Sequence, residues 1–311
     1  MSSSLTPPAT LDVPLDPVLE VADLRITPVR HYGRWISGTV VLAIVAGILV
    51  AVARADIEYG QTVHYLFAGP IVSGMLSTLG LSVAAMVIGL VLGLVAAMMR
   101  VSRNPVFRVT ASVYIWLFRG VPLLVQLLIW FNLALVAQTL SVPGLFSVQT
   151  NTVMTPFTAA LIGLGVCEGA YVAEIVRSGI ASVPAAQRSA AAALGMTPAV
   201  TMRRVVLPQA FPVMVPPLGN EFITMLKNSA LASTISYVEL LRSANKLYTS
   251  NLLVVELLLT ASIWYLVLTT VFSVVQHRLE NRLARSSAVA GTAPAGMGAR
   301  VLHNLRIGRT R

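Results

Sequence analysis

The chain has 311 residues, with 22 Lys and Arg against 12 Asp and Glu for a net charge of +10. Hydrophobic residues make up 56% of it and charged ones only 11%, against about 25% charged in an ordinary soluble domain. So few charges cannot cover a soluble surface, which excludes soluble, disordered and coiled-coil classes.

Long apolar runs separated by basic loops point to an all-α integral membrane protein rather than a barrel. Residues 1–35 are polar, proline-rich and mixed in charge, and read as a disordered tail. Six apolar runs follow: Ile36–Ala53, Ile71–Met99, about Val121–Leu140, Phe157–Val176, about Gln209–Leu226 and Leu252–Gln276. The first run and its external loop occupy 36–70. Ala51-Val52-Ala53 resembles a signal-peptidase site, but the preceding segment is long and partly acidic, which favours an uncleaved span. A basic tail, 283–311, closes the chain.

Basic residues fix the orientation. Arg25, Arg30 and Arg34 precede span one, and Arg100, Arg103, Arg108 and Arg119 follow span two. Arg177, Arg188, Arg203 and Arg204 follow span four, and seven arginines follow span six. The opposite face holds only Arg54, Arg242 and Lys246, with Lys227 ending span five. The positive-inside rule then predicts six transmembrane helices with both termini in the cytoplasm. The high charge therefore tracks a membrane face and anionic lipid, and no basic helix interleaved with aromatics suggests nucleic acid.

Several chemistries are excluded. Cys167 is the single cysteine, so neither an internal disulfide nor a cysteine-based metal site is available. No aspartate follows Asp56, which removes a paired-aspartate protease. The four histidines form no HExxH, and no GxxxxGK[ST] occurs. The expectation is a chain with no catalytic residue, no metal and no cofactor of its own.

The informative loop runs from Arg177 to Leu207. Ala190–Leu194 are strong helix formers, Gly195 suits a left-handed stop, and Pro198 suits the first turn of a second helix. A helix, glycine turn and helix are too ordered for a mere connector. Ser189-Ala190-Ala191, three residues, Gly195, nine residues and Val205-x-Leu207-Pro208 resemble the EAA loop of ABC import permeases, whose pattern is EAA, three residues, G, nine residues, I-x-LP. Ser189 replaces the glutamate and Val205 the isoleucine. The stretch Phe118-Arg119-Gly120-Val121-Pro122-Leu123-Leu124-Val125-Gln126 is similar to FRGTPLLVQ of polar amino-acid permeases. Gly169–Ile175 with Arg177, Leu207–Ala210, Pro216-Pro217-Leu218-x-Asn220 and Leu226-Lys227-Asn228-Ser229-x-Leu231 extend the likeness over residues 71–282.

This resemblance implies a five-span type I permease core, here with an extra first span. It implies the transmembrane subunit of an ATP-driven importer in the bacterial plasma membrane, moving a polar amino acid into the cytoplasm. ATP and Mg would sit on a separate ABC ATPase subunit. The other implied partners are an extracytoplasmic solute-binding protein and a second permease subunit, identical or homologous. The loop 177–208 would couple to the ATPase through Ser189, Ala190, Ala191, Gly195, Leu207 and Pro208.

Intramembrane charges suggest the solute path. A carboxylate inside a bilayer costs at least about 2.5 kcal/mol, so each needs a partner, a pathway or the interface. Glu174 is expected to pair with Arg177, three residues on. Glu256 is expected to be solvated near the outer boundary. Glu168 and Glu221 lie deeper and are the pathway candidates, with Asn220 to orient Glu221 and with Tyr171 and Lys227 as further candidates. Pro212, Pro216, Pro217 and Gly219 are expected to interrupt that span and free carbonyls. Gly89 and Gly93 read as a close-packing GxxxG, and Arg119 as an interfacial anchor. The rival readings are a stand-alone secondary transporter or channel, and a membrane enzyme built on Ser229 and Lys227. No internal repeat supports the first, and no oxyanion hole or substrate cleft supports the second.

Overall fold

The computed structural model describes residues 32–55, 57–142 and 146–289. The two tails predicted from composition lie largely outside these. The chain divides into two units, Met1–Asp56 and Ile57–Arg311. In the first, α1 (Tyr32–Ala53) contains the apolar stretch Ile36–Ala53, long enough to cross a bilayer.

The second unit is built around two long helices. α3 spans Gly69–Val101 and α7 spans Pro156–Ala181. Local chemistry sets their ends. Pro70 opens α3, and the Thr155 hydroxyl accepts the Thr158 N–H ahead of Pro156 at the start of α7. The buried face of α3 is a ladder of small residues, Gly74, Thr78, Ser82, Ala85, Gly89 and Gly93, at helical spacing. Its opposite face exposes Leu76, Val83, Val87, Leu90 and Leu94, which suits lipid. α7 meets that ladder with its own glycines. A Cβ at Gly93 would fall 2.5 Å from Val172 Cβ and 2.9 Å from the Gly169 carbonyl oxygen. One at Gly165 would fall 2.8 Å from Ile88 Cγ2. Lipid tails are as apolar as leucine, so this close backbone approach, rather than hydrophobic burial, holds the pair. The predicted packing role of Gly89 and Gly93 is what the structure displays.

The remaining elements wrap this pair. α2 (Tyr59–Tyr65) precedes α3, and α4 (Pro105–Gly120) and α5 (Leu123–Phe131) follow it. β1 (Thr139–Val142) pairs antiparallel with β2 (Phe146–Gln149), and α6 is the short turn Thr150–Val153. α8 (Ala185–Ala193) and α9 (Pro198–Thr201) form the predicted loop. α10 (Leu207–Asn228), α11 (Leu240–Asn251) and α12 (Val254–Val289) complete the unit. Three apolar clusters run along α3. One surrounds Ala96, Ala97, Val172 and Met214, a second Leu81, Ala85, Leu164 and Met225, and a third Ile71, Leu240 and Leu257.

Two expectations are corrected here. The third predicted span, Val121–Leu140, is not one helix. α4 and α5 form a pair bent by 103°, and the end of the predicted span is strand β1. Pro122 has no N–H and forces Val121 into extended backbone (φ −94°, ψ 132°), so the helix breaks there. By length and composition, four helices among the described residues qualify as spans, or five with the bent pair. The predicted count of six is therefore not reached by that measure. α10 falls short because prolines and polar residues dilute its 22 residues. The second correction is that α10 is continuous across Pro212, Pro216 and Pro217 rather than interrupted.

The glycine ladder gives a test. Gly93→Val drives a methyl-bearing carbon into a backbone oxygen that cannot swing aside. Overpacking of this kind costs about 1–3 kcal/mol or more. In mild detergent it is expected to abolish the monodisperse size-exclusion peak, whereas Gly80→Ala, with nothing within 4 Å, leaves the profile unchanged. A normal profile for Gly93→Val refutes the account.

Candidate functional site

Helical spacing brings one cavity together. Leu164, Cys167, Glu168 and Tyr171 form one stripe of α7, and Glu221, Thr224, Met225 and Asn228 one stripe of α10. The bend after α4 closes it with Arg119, Gly120, Val121, Pro122 and Leu123. The cavity is partly open, with a volume of about 520 Å³, within the range of small-molecule sites.

Three of its polar groups are charged, Arg119, Glu168 and Glu221. Glu168 is 6% exposed, and its Oε1 is buried with no hydrogen-bond partner among the described residues. Its stem is held by the missing side chain of Gly89, where a Cβ would come within 2.7 Å of Glu168 Cγ. The Arg119 guanidinium lies 5.2 Å from the Tyr171 ring centroid, in cation–π range. Glu221 lines the same space. The cavity therefore offers two carboxylates, one guanidinium and an aromatic face.

Of the sequence-based pathway candidates, Glu168, Tyr171 and Glu221 line this cavity. Asn220 and Lys227 do not. They share a separate stripe of α10, and Asn220 Oδ1 accepts a hydrogen bond from Gln276 Nε2 on α12 at 3.1 Å. Arg119, read as an interfacial anchor, is instead a cavity residue. Its signal was a charge set against a proline break inside an apolar stretch. Thr224 and Asn228 were missed, although they lie three and seven residues beyond Glu221 on one stripe.

The bend itself is chemically satisfied. Pro122 leaves the Phe118 carbonyl without its helical donor. Gln126 Nε2 donates to that oxygen at 2.9 Å and to the Val121 oxygen at 2.8 Å. The Cys167 thiol donates to the Phe118 oxygen at 3.5 Å.

The loop after α7 has the predicted form. Gly195 has φ +76°. Its N–H donates to the Ala192 oxygen at 2.9 Å, and the Met196 N–H donates to the Ala191 oxygen at 3.1 Å. These two bonds are a Schellman motif, which needs the left-handed residue. Thr197 caps α9 ahead of Pro198. Ser189, Ala190, Gly195, Leu207 and Pro208 are exposed, as is Leu194, which sequence reasoning did not single out. Ala191 is buried against its own chain.

Residues 89–285 match the model of a family described as the binding-protein-dependent transport system inner membrane component. The chain belongs to this family. It is similar to the arginine transport system permease protein ArgU of Corynebacterium glutamicum, 40% identical over 87% of this chain and 86% of that one. It is also similar to the L-cystine permease TcyB of Bacillus subtilis, at 38% over 70% and 88%. A solved amino acid ABC transporter with histidines superposes with a TM-score of 0.65 and 36% identity, over 73% of this chain and all of that one. The chain is thus a multi-pass inner-membrane permease subunit of an ABC importer, not an enzyme, and ATP hydrolysis lies on a separate subunit. Family membership removes the stand-alone transporter and the membrane enzyme.

Two other permease carboxylates are structural. Glu174 accepts from Arg177 Nε at 3.0 Å, as expected, and also from Arg100 Nη1 of α3 at 3.2 Å. Glu256 was expected to be solvated and is instead buried. It accepts the Glu58 N–H at 3.1 Å and so ties α12 to the start of α2.

The unpartnered Glu168 oxygen makes a prediction about the empty permease. A carboxylate desolvated without a partner opposes folding more than a neutral amide does. Glu168→Gln is expected to raise the melting temperature of the purified permease by a few degrees, read by thermal unfolding in detergent. A lower melting temperature counts against it.

Proposed function

We propose that this permease imports a cationic amino acid, and that the cavity between α4, α7 and α10 holds it in transit. The supporting observation is the buried Glu168 oxygen with no partner among the described residues, in a cavity that Glu221 and Arg119 also line. A cationic amino acid carries two positive groups and one negative one, the complement of two carboxylates and one guanidinium. Arg119 then receives the solute carboxylate, and Glu168 and Glu221 share its ammonium and side-chain cation. Charge-assisted bonds in a desolvated site are strong enough to orient a small solute. The arginine carried by the ArgU relative agrees with this reading.

The rest of the machine follows from the same proposal. Residues 71–282 form the permease core, with residues 1–35 and 283–311 as cytoplasmic tails and 36–70 as the added span and its external loop. An extracytoplasmic binding protein delivers the solute, and a second permease subunit completes the membrane assembly. The ABC ATPase, with its ATP and Mg, docks on the loop 177–208. The exposed surface of Ser189, Ala190, Gly195 and Leu194 supplies the contact, with Leu207 and Pro208 starting α10 beneath it. Ala191 holds the loop together from inside.

Tagging this chain, extracting it gently and identifying what co-purifies is the decisive assembly test. A stoichiometric P-loop ATPase is expected. Gly195→Trp, strained at φ +76° and bulky on the docking face, should leave the permease folded and lower solute-stimulated ATPase activity at least tenfold. Normal assembly and normal uptake in that variant defeat the coupling assignment. In uptake assays, Glu168→Gln and Glu221→Gln should each reduce transport of arginine and lysine. Unchanged uptake in both defeats the solute assignment.

A further inference from the structure

We infer that Gln126 is a positioning residue that aims Arg119 at the solute, with Cys167 as a second strut. The inference rests on the cavity reading above. Gln126 is 4% exposed and sits on α5, outside the lining of the cavity. Its amide nitrogen spends both hydrogens on the Phe118 and Val121 carbonyls, the residues flanking Arg119-Gly120. Its orientation is dictated by its neighbours, since turning the amide over would set its oxygen against two carbonyl oxygens. The other amide face is sacrificed, because Oε1 is buried with no partner among the described residues. A side chain used only for filling would be apolar here, as its neighbours Leu127 and Leu128 are. Gln126 also meets the Cys167 sulfur at 3.7 Å, so α5 and α7 grip the same turn from two sides.

That turn carries the cavity's one guanidinium among the described residues. With the Gln126 donors removed, the Val121 carbonyl loses its partner and the Phe118 carbonyl keeps only the weak Cys167 contact, so the peptide planes at 118 and 121 rotate to find others. Arg119 moves with them, while Glu168 and Glu221 stay on their own helices. Gln126 therefore governs recognition of the solute carboxylate and leaves recognition of its cation intact.

The test is equilibrium binding to the permease assembled with its ATPase, in nanodiscs and without binding protein. The probes are L-arginine and agmatine, which lacks the carboxylate. The normal complex should prefer arginine, and Arg119→Gln should remove that preference. Gln126→Leu should weaken arginine binding about tenfold, the loss of one charge-assisted bond, and leave agmatine binding unchanged. Gln126→His, which keeps an N–H donor, should restore part of the preference. Should Gln126→Leu not fold, Cys167→Ala decides, with a smaller but selective loss for arginine. Preference lost in Arg119→Gln but kept in Gln126→Leu or Cys167→Ala overturns the positioning role alone. A normal complex that binds neither probe, or that does not discriminate, overturns the cavity reading and this inference with it. Equal loss of both probes in Gln126→Leu reduces Gln126 to a structural part and also overturns it.

Discussion

The close approach of two backbones, α3 against α7, is the constraint on which the rest of this permease depends. Gly89, Gly93, Gly165 and Gly169 let the two helices meet where any Cβ would collide. In water such a contact would be reinforced by expelling solvent. In a bilayer it rests on close packing and on the hydrogen bonds that packing permits. A helix held this near to its neighbour has almost no rotational freedom. The position of α7 beside α3 is therefore fixed, and with it the stripe that carries Cys167, Glu168 and Tyr171.

The cavity is a second consequence of the same seam. Glu168 lies against Gly89, so its stem is packed on α3 while the residue lines the cavity. Gly169 leaves room for the Tyr114 hydroxyl, which donates to the Val166 oxygen at 2.6 Å and pins α4 to α7. With α4 pinned, its broken end has to fall over α7. Pro122 causes the break, and the hydrogen bonds from Gln126 and Cys167 choose its direction. Small residues, one proline and one buried amide thus place a guanidinium and two carboxylates around one cavity.

How much of this was legible in the sequence depends on the range of the interaction. Local chemistry was readable. The left-handed Gly195, the Pro198 start and the Glu174–Arg177 pair all act within a few residues, and each is present. The GxxxG was also readable, because a face of small residues in lipid has few other uses. The bent third span was not, because apolar content alone cannot separate a straight helix from one that breaks and turns into a hairpin. The signs were there in Pro122, in Pro143-Gly144, and in Thr139 and Val148 on either side, but each is weak beside a long apolar run. Glu256 misled for a different reason. Its partner, the Glu58 N–H, is almost two hundred residues away, and no spacing rule reaches that far. Asn220 lies off the cavity lining although it is adjacent to Glu221, because adjacency in sequence is not proximity in space. On a helix adjacent residues point about 100° apart.

α10 joins the two ends of the molecule that matter. It begins at Leu207, directly after the loop, and its last turns carry Glu221, Thr224 and Asn228 into the cavity. Gln209 Nε2 donates to Gln187 Oε1 at 2.6 Å, so α8 and the first turn of α10 are tied directly. The three prolines all lie in the first half of α10, where each removes one backbone hydrogen bond. The second half, beyond Gly219, keeps its full ladder and is stiffer. Under the proposed coupling, a displacement of α8 would enter through the soft half and reach the cavity as a movement of the stiff half. Gln276 of α12 grips the boundary between them, donating to the Pro216 oxygen at 3.0 Å and resting on Gly219. That grip supplies a fulcrum. Without it, motion at the loop would dissipate as bending at the prolines. With it, the proposed coupling has a route, since bending below the boundary would become rotation above it, where Glu221, Thr224 and Asn228 line the cavity.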